Sequence, residues 1–483
     1  MYSETPTLEP IVPSYHLRIL SDEQLAQFKS ATLTILEETG IHCPSEKALN
    51  IYAEHGAKVD FERQIVKLPP DVVLEAMSHA PRFYTMGARL PAFDLELDGT
   101  ATYCATDGCG TETIDFVTRQ RRASTKDDVG KMARVTDYLP SMAFYWPIVS
   151  AQDYGWTAPL HELDASFNNT VKHVQTETLM GEQEARYGVE MAQVIAGDKA
   201  TMRERPPLSS LICTIAPLAQ DKGGMESALV FAEAGLPVGF MSMATAGSTA
   251  PATIAGTIAV ADAEMVAAMV LIQMAYPGAP VYHSMMPGIM HPRTGDFLGG
   301  DWDAGWFYLV GVELAHMWGV PTLAGIGTEA PSLGWNSALG LSASILMCAL
   351  CGAETASGLG LRETCTLLYP EALVLDSEGY DTALFYAAGF EFSPEEFALD
   401  VVKAVGPRGH FLAQQHTREQ MRKWQLSELT SQPKPGGGYR NPIEAAREKT
   451  DWILEHHHPQ PLEEAQQAEL TRILQAAERE LGS

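Results

Sequence analysis

The sequence predicts an α/β protein built as one TIM (β/α)8 barrel, with an N-terminal helical and β-rich cap over 1–130, the barrel over 131–417 and a C-terminal helical tail over 418–483. From about residue 131, short apolar runs alternate with longer helix-patterned ones, the mark of a parallel sheet assembled from repeated βα units. Eight such runs can be placed, the number that closes a barrel. At 483 residues and 46% hydrophobic content, the chain has the length and the apolar material for a barrel with additions.

The cap begins with a helix over 21–40. Ser21 is placed to cap it, Leu25, Phe28, Leu33 and Leu36 recur at helical spacing, and Gly40 ends it. A second helix over 45–55 stops at Gly56, a third starts at Pro70 and Asp71, and a β-rich passage covers 82–117. The barrel strands are expected at 143–149, 171–175, 208–215, 238–243, 281–285, 322–326 and 355–361, with a weaker eighth at 410–413. Helices rich in Ala, Leu and Met, such as 251–274 and 338–350, follow several of them. The tail contains the turn-rich PKPGGGY at 433–439 and a charged amphipathic helix at 461–481, suited to packing or to contacts in a homo-oligomer.

Charge and cysteine usage exclude several functions. The 33 basic residues against 61 acidic ones yield a formal charge of -28, which repels phosphate backbones and anionic membrane surfaces, so neither is expected as a partner. Seven cysteines without regular spacing do not form a disulfide framework, and the N-terminus lacks a basic segment followed by an apolar one; a cytoplasmic protein is expected. HExxH and GxxxxGK[ST] are absent, which removes the usual supports for metal-dependent hydrolysis and P-loop phosphoryl transfer. The CALC pair Cys348 and Cys351 lies inside an apolar helix without a second pair and reads as core. Cys104 and Cys109, flanking a glycine-bearing turn, are discounted on similar grounds, and His456 to His458 are adjacent on a segment expected at the surface, unable to converge on one ion.

Barrel enzymes carry their chemistry in the loops after the strands. Tyr145 and Trp146 fall on the strand at 143–149, Tyr154 and Trp156 just beyond it, and Trp302 and Trp306 in the loop after the strand at 281–285. Aromatic faces attract quaternary ammonium groups, at roughly 0.5 to 2 kcal/mol per contact, without needing a donor on the ligand, although ordinary core packing explains any one ring equally well. In VYHSMMPG, alternation sends Tyr282 and His283 to opposite faces, and His283 is taken as the inward one.

LSDEQLAQF, ILEETGIHCPSEKAL, HELDASFNNTVKHVQTE, PTLAGIGTEAPSLGWNSALG, CGAETASGLGL and HFLAQQHT together resemble the trimethylamine methyltransferase family nearly end to end. That resemblance implies a (β/α)8 barrel whose mouth receives a small corrinoid protein, so that cobalamin arrives on a partner and no intrinsic metal is needed. It also places Pro331 of GTEAPSLG where founding members carry pyrrolysine, which implies the pyrrolysine-free branch, similar to glycine betaine methyltransferase. Proline supplies no electrophilic imine, so the donor must carry its own leaving group, as a quaternary amine does. Glycine betaine, proline betaine and carnitine are donors of that kind, and positioning and desolvation would carry the catalysis. Glu329 is the first choice for a charge partner and Asp107, in TDGCG, the second. Ser357 stands where members of this branch often have histidine, which puts glycine betaine itself in doubt, and His416 is a compensating candidate. A barrel that binds methylammonium compounds without turning them over is the competing reading.

Overall fold

The computed structural model describes residues 6–300, 302–327, 330, 332–424, 426–427 and 429–481. Eight parallel strands form the barrel: β1 Tyr103–Thr106, β2 Phe144–Tyr145, β3 His173–Thr176, β4 Leu208–Cys213, β5 Val238–Ser242, β6 Val281–Met285, β7 Leu323–Gly325 and β8 Thr355–Leu359. Neighbours pair in chain order, β8 returns to β1, and a parallel bridge between His283 and Thr322 joins β6 to β7 and closes the ring. Each strand is followed by a helix: α1 Lys126–Tyr138, α2 Ala158–Asn169, α3 Glu182–Ala196, α4 Lys222–Ala234, α5 Ile254–Ala275, α6 Trp302–Trp318, α7 Trp335–Leu350 and α8 Ala372–Ala388.

The strand expected at 410–413 does not form; those residues are irregular and mostly exposed. The barrel takes its remaining strand from the β-rich passage that precedes the helical alternation, at Tyr103–Thr106. Four residues suffice there because β1 is paired on both sides, with Ala105 opposite Phe144 of β2 and Tyr103 opposite Thr355 of β8.

Alternation along each strand separates two apolar environments. Tyr103, Ala105, Phe144, Leu211, Met241, Tyr282 and Leu323 meet inside the barrel. Val174, Leu208, Ile212, Val238, Phe240 and Val281 face outward against the helices. On β6 the inward residue is Tyr282, which overturns the expectation for His283. The Tyr282 ring lies over Gly239, its direct neighbour on β5, where an added Cβ would come within 2.0 Å of the ring. Its hydroxyl donates to the Ser210 carbonyl oxygen at 3.0 Å and lies 2.9 Å from the Gln175 side-chain amide. His283 points the other way. Its Nε2 lies 2.9 Å from Asp262 on α5, whose carboxylate also accepts from the Trp318 indole at 3.0 Å and the Thr32 hydroxyl at 2.6 Å.

The lower end of the barrel, where the strands begin, is plugged by an antiparallel hairpin of Tyr84–Met86 and Leu95–Leu97. The helix Asp22–Thr34 has the capping box of Ser21 and Gln24, and Gly40 closes the following turn at φ 79. Glu46–Glu54 is capped by Ser45, and Pro70–Met77 begins at proline. The tail helices Pro442–His456 and Glu464–Leu481 lie on the barrel flank. His457, expected at the surface, is buried with Nε2 2.8 Å from Asp137 of α1. Beside it, the buried Lys172 ammonium donates to the carbonyls of Thr136, Leu139 and Met142 at 2.8, 2.7 and 2.6 Å. Cys348 and Cys351 are buried on α7, as a core reading requires. Helix α5 is the one described helix long and apolar enough to cross a membrane, and 78% of its apolar window is buried within the protein.

Replacing Asp262 by alanine strands three buried donors at once, on His283, Trp318 and Thr32. A loss of about 3 kcal/mol or more is expected in urea denaturation, against about 1 kcal/mol for Thr32→Ala. Equal losses would show that Asp262 does not join these three elements.

Candidate active site

At the upper ends of the strands the inner face continues into the loops, and the residues that keep the inward phase line the mouth. On β3, His173 and Gln175 face inward and Glu177, just past the strand, follows in the same phase. Cys213 ends β4 in phase with Leu211, and its thiol donates to Glu177 Oε1 at 3.0 Å. The buried Cys109 thiol, beyond β1, adjoins the same carboxyl group. Trp146 follows β2 and lies flat against the backbone at Gly108, where a Cβ would come within 1.9 Å of the indole. Its buried indole N–H has no hydrogen-bonding partner and sits beside the Cys109 sulfur.

The electrostatics of this cluster centre on Glu177. Burial raises its pKa above the usual carboxyl value, the two thiols pull it back, and the charges of Asp107 and Glu162 push it up again. Both thiols are themselves raised well above the ordinary cysteine value, first by burial and then by Glu177, so they are protonated at neutral pH. Thiols are weak donors.

Two other buried carboxylates hold the loops in place. Glu162 of α2 accepts from the Ser150 hydroxyl at 2.7 Å, the Ala151 amide at 3.2 Å and the Thr178 hydroxyl at 2.7 Å, tying the loops after β2 and β3 together. Glu264 of α5 does the same for the next pair of loops, accepting from Thr214 at 2.7 Å, Leu218 at 2.8 Å and Ser242 at 2.8 Å. Burial raises the pKa of each, and the hydroxyl and amide donors oppose that rise.

The residues singled out from the sequence fall in different places. Asp107 lies at the mouth, half-buried, its amide bonded to the Leu359 carbonyl at 2.8 Å and its carboxylate accepting from the Gly108 amide at 2.9 Å. Trp146 is on the inner face. Ser357 on β8 is in register with Ala105, faces inward, and has a buried hydroxyl without a partner. His283 is excluded from the interior because β6 presents Tyr282 there. His416 sits half-buried on the peripheral helix Gln415–Met421 and not at the end of a barrel strand. Glu329 and Pro331 lie outside the described residues, and Trp302 begins α6, its side chain also outside them. Sequence reasoning missed Glu177 and Cys213, and it set Cys109 aside with Cys104, whereas Cys109 lies beside Trp146 and Glu177 at the mouth. An acidic residue just after a predicted barrel strand was the available signal for Glu177; nothing in the local sequence marked Cys213. Among the described residues no group of three or more His, Cys, Asp or Glu side chains is arranged to hold a metal ion.

A sequence profile described as trimethylamine methyltransferase (MTTB) matches residues 3–482. This chain belongs to the trimethylamine methyltransferase family. It is a methyltransferase, 30% identical over 477 residues to trimethylamine methyltransferase MttB of Desulfitobacterium hafniense, covering 98% of this chain and 96% of that one. It is also 30% identical to a glycine betaine methyltransferase of Desulfitobacterium hafniense, covering 85% of each chain. The crystal structure of monomethylamine methyltransferase (MtmB) from Methanosarcina barkeri superposes with a TM-score of 0.54 over 97% of this chain and 88% of that one, at 11% identity, a likeness of fold alone.

Glu162→Ala removes the shared acceptor of the loops that carry Trp146 and Glu177. Methyl transfer is expected to fall at least about tenfold in kcat/KM, because small misplacements at a site are costly. The measurement is steady-state kinetics beside thermal unfolding, and activity unchanged under a lowered Tm would show that the brace serves stability only.

Proposed function

We propose that this methyltransferase takes its methyl group from a quaternary ammonium compound and delivers it to the Co(I) corrinoid of a separate carrier protein. The observation that carries this reading is the Glu177 carboxyl group at the barrel mouth, which accepts from the Cys213 thiol and lies near Asp107, on the inner face that also carries the Trp146 ring. Charge and aromatic surface together suit a methylated cation, which offers no hydrogen-bond donor of its own. The methyl acceptor is a substrate brought by the partner.

In the transfer the C–N bond breaks and its electron pair stays on nitrogen, leaving a neutral tertiary amine. The acceptor supplies the electron pair of the new bond to carbon. No proton is required, because the donor nitrogen is already positively charged. This is why Pro331, at the position where founding members use pyrrolysine, is compatible with turnover. Glu177 and Asp107 hold the cation, and Trp146 presents an apolar face to its methyl groups. Glycine betaine, proline betaine, carnitine and simpler quaternary amines are the donors to be compared.

The test supplies free cob(I)alamin and a panel of quaternary and tertiary amines and follows methylcobalamin formation by its absorbance. Methylation from at least one quaternary amine is expected; consumption of tertiary amines only would refute the proposal. The cation favours ionised Glu177, so binding is strongest above the raised Glu177 pKa and weakens as pH falls through it. Glu177→Gln is expected to raise KM at least about tenfold, the effect of losing one charge partner of 1.4 kcal/mol, and to flatten this acid limb. An unchanged pH profile in Glu177→Gln would remove Glu177 from the site.

A further inference from the structure

The inner wall of the mouth carries charge of one sign. Asp107 and Glu177 follow β1 and β3 in the inward phase, and a third carboxyl group, Glu162, acts on Glu177 from α2. The loops after β2, β3, β4, β5 and β7, at 146–157, 177–181, 214–221, 243–253 and 326–334, are built without lysine, arginine or histidine. Arg119, Arg121, Arg122 and Arg362, in the loops after β1 and β8, each form ion pairs with carboxylates. In the turn after β6, His291 Nδ1 accepts from the Arg293 and Thr294 amides, and the Arg293 side chain is exposed, as is Lys222 at the start of α4. In such a field a monocation collects the whole attraction, whereas a zwitterion collects only the difference between its two charges.

Ser357 supplies an independent observation. It faces inward on β8 in register with Ala105 of β1, is 1% exposed, and has a hydroxyl without a hydrogen-bonding partner. Leaving a buried hydroxyl unpaired is costly. Ala105 and Asp107 share the inward phase of β1, so this hydroxyl lies one inward step below Asp107, about 6.6 Å along the strand. It is an uncharged group that can both donate and accept.

We infer, on the basis of a quaternary ammonium donor at this site, that the donor is a quaternary ammonium alcohol: Asp107 and Glu177 hold its ammonium group and Ser357 hydrogen-bonds its hydroxyl. A two-carbon arm and one hydrogen bond cover the step from Asp107 to Ser357. A betaine of the same length ends in a carboxylate, which the acids of the mouth repel. Transfer breaks one N–CH3 bond, whose electron pair stays on nitrogen and leaves a neutral tertiary amino alcohol. The Co(I) acceptor supplies the pair of the new bond to carbon, and no proton moves.

Methyl transfer from choline, glycine betaine and tetramethylammonium to free cob(I)alamin compares a hydroxyl, a carboxylate and no further polar group on a methylated ammonium. Wild type is expected to use choline with a kcat/KM at least about tenfold above that for glycine betaine. Ser357→Ala should shrink the ratio of choline to tetramethylammonium kcat/KM about five- to tenfold, the effect of one lost hydrogen bond. Asp107→Asn should lower kcat/KM for choline more than for glycine betaine, since only the monocation meets the removed charge with nothing to offset it. Glycine betaine used as well as choline, or an unchanged choline-to-tetramethylammonium ratio in Ser357→Ala, would overturn the inference and leave the quaternary donor standing. Turnover of none of the three, with tertiary amines consumed instead, would overturn the quaternary donor and this inference with it.

Discussion

The parallel bridge between His283 and Thr322 turns an eight-stranded sheet into a closed ring, and that closure decides the identity of every inward residue. Once β6 and β7 are joined, the twist and register of the other strands leave one phase of alternation inside and the other against the helices. Tyr282 goes in and His283 goes out, and the same rule delivers Trp146, Glu177, Cys213 and Ser357 to one opening. The outward phase is equally constrained. His283 ends on Asp262, which also receives Trp318 from α6 and Thr32 from the N-terminal helix, so the residue on the back of β6 fastens the cap to the barrel.

Buried carboxylates recur as the means of fixing the loops. Glu162 and Glu264 each serve two consecutive βα loops from the helix behind them, and Asp376 of α8 accepts from Gly360 and from the buried Arg362 after β8. A buried charge is costly unless its lone pairs are satisfied, so these acids strongly favour one arrangement of their loops. The loops after β2, β3, β4, β5 and β8 are each fastened in this way to a helix behind them.

Glu177 differs from these braces in its partners. Its acceptor oxygens meet thiols, and its near charges, Asp107 and Glu162, are negative. The neighbourhood opposes ionisation of Glu177, and the proposed methylated cation is the kind of ligand that favours it.

Local patterns in the sequence were enough for the barrel class, the caps and the family, while the eighth strand was expected at 410–413, where none forms. Ser21, Gly40, Ser45, Gly56 and Pro70 end or start helices through backbone geometry that depends on a few neighbouring residues, and seven of the eight strands stand out as apolar runs for the same reason. The four-residue β1 was not legible, since its pairing on both sides compensates for a short, mixed sequence. Nor was the direction of Tyr282 and His283: a period of two states that neighbours face apart, while only ring closure and the space over Gly239 determine which one enters. Glu177, Cys109 and Cys213 come from three different strand ends and converge through the curvature of the barrel, a relation between distant segments that no local pattern encodes.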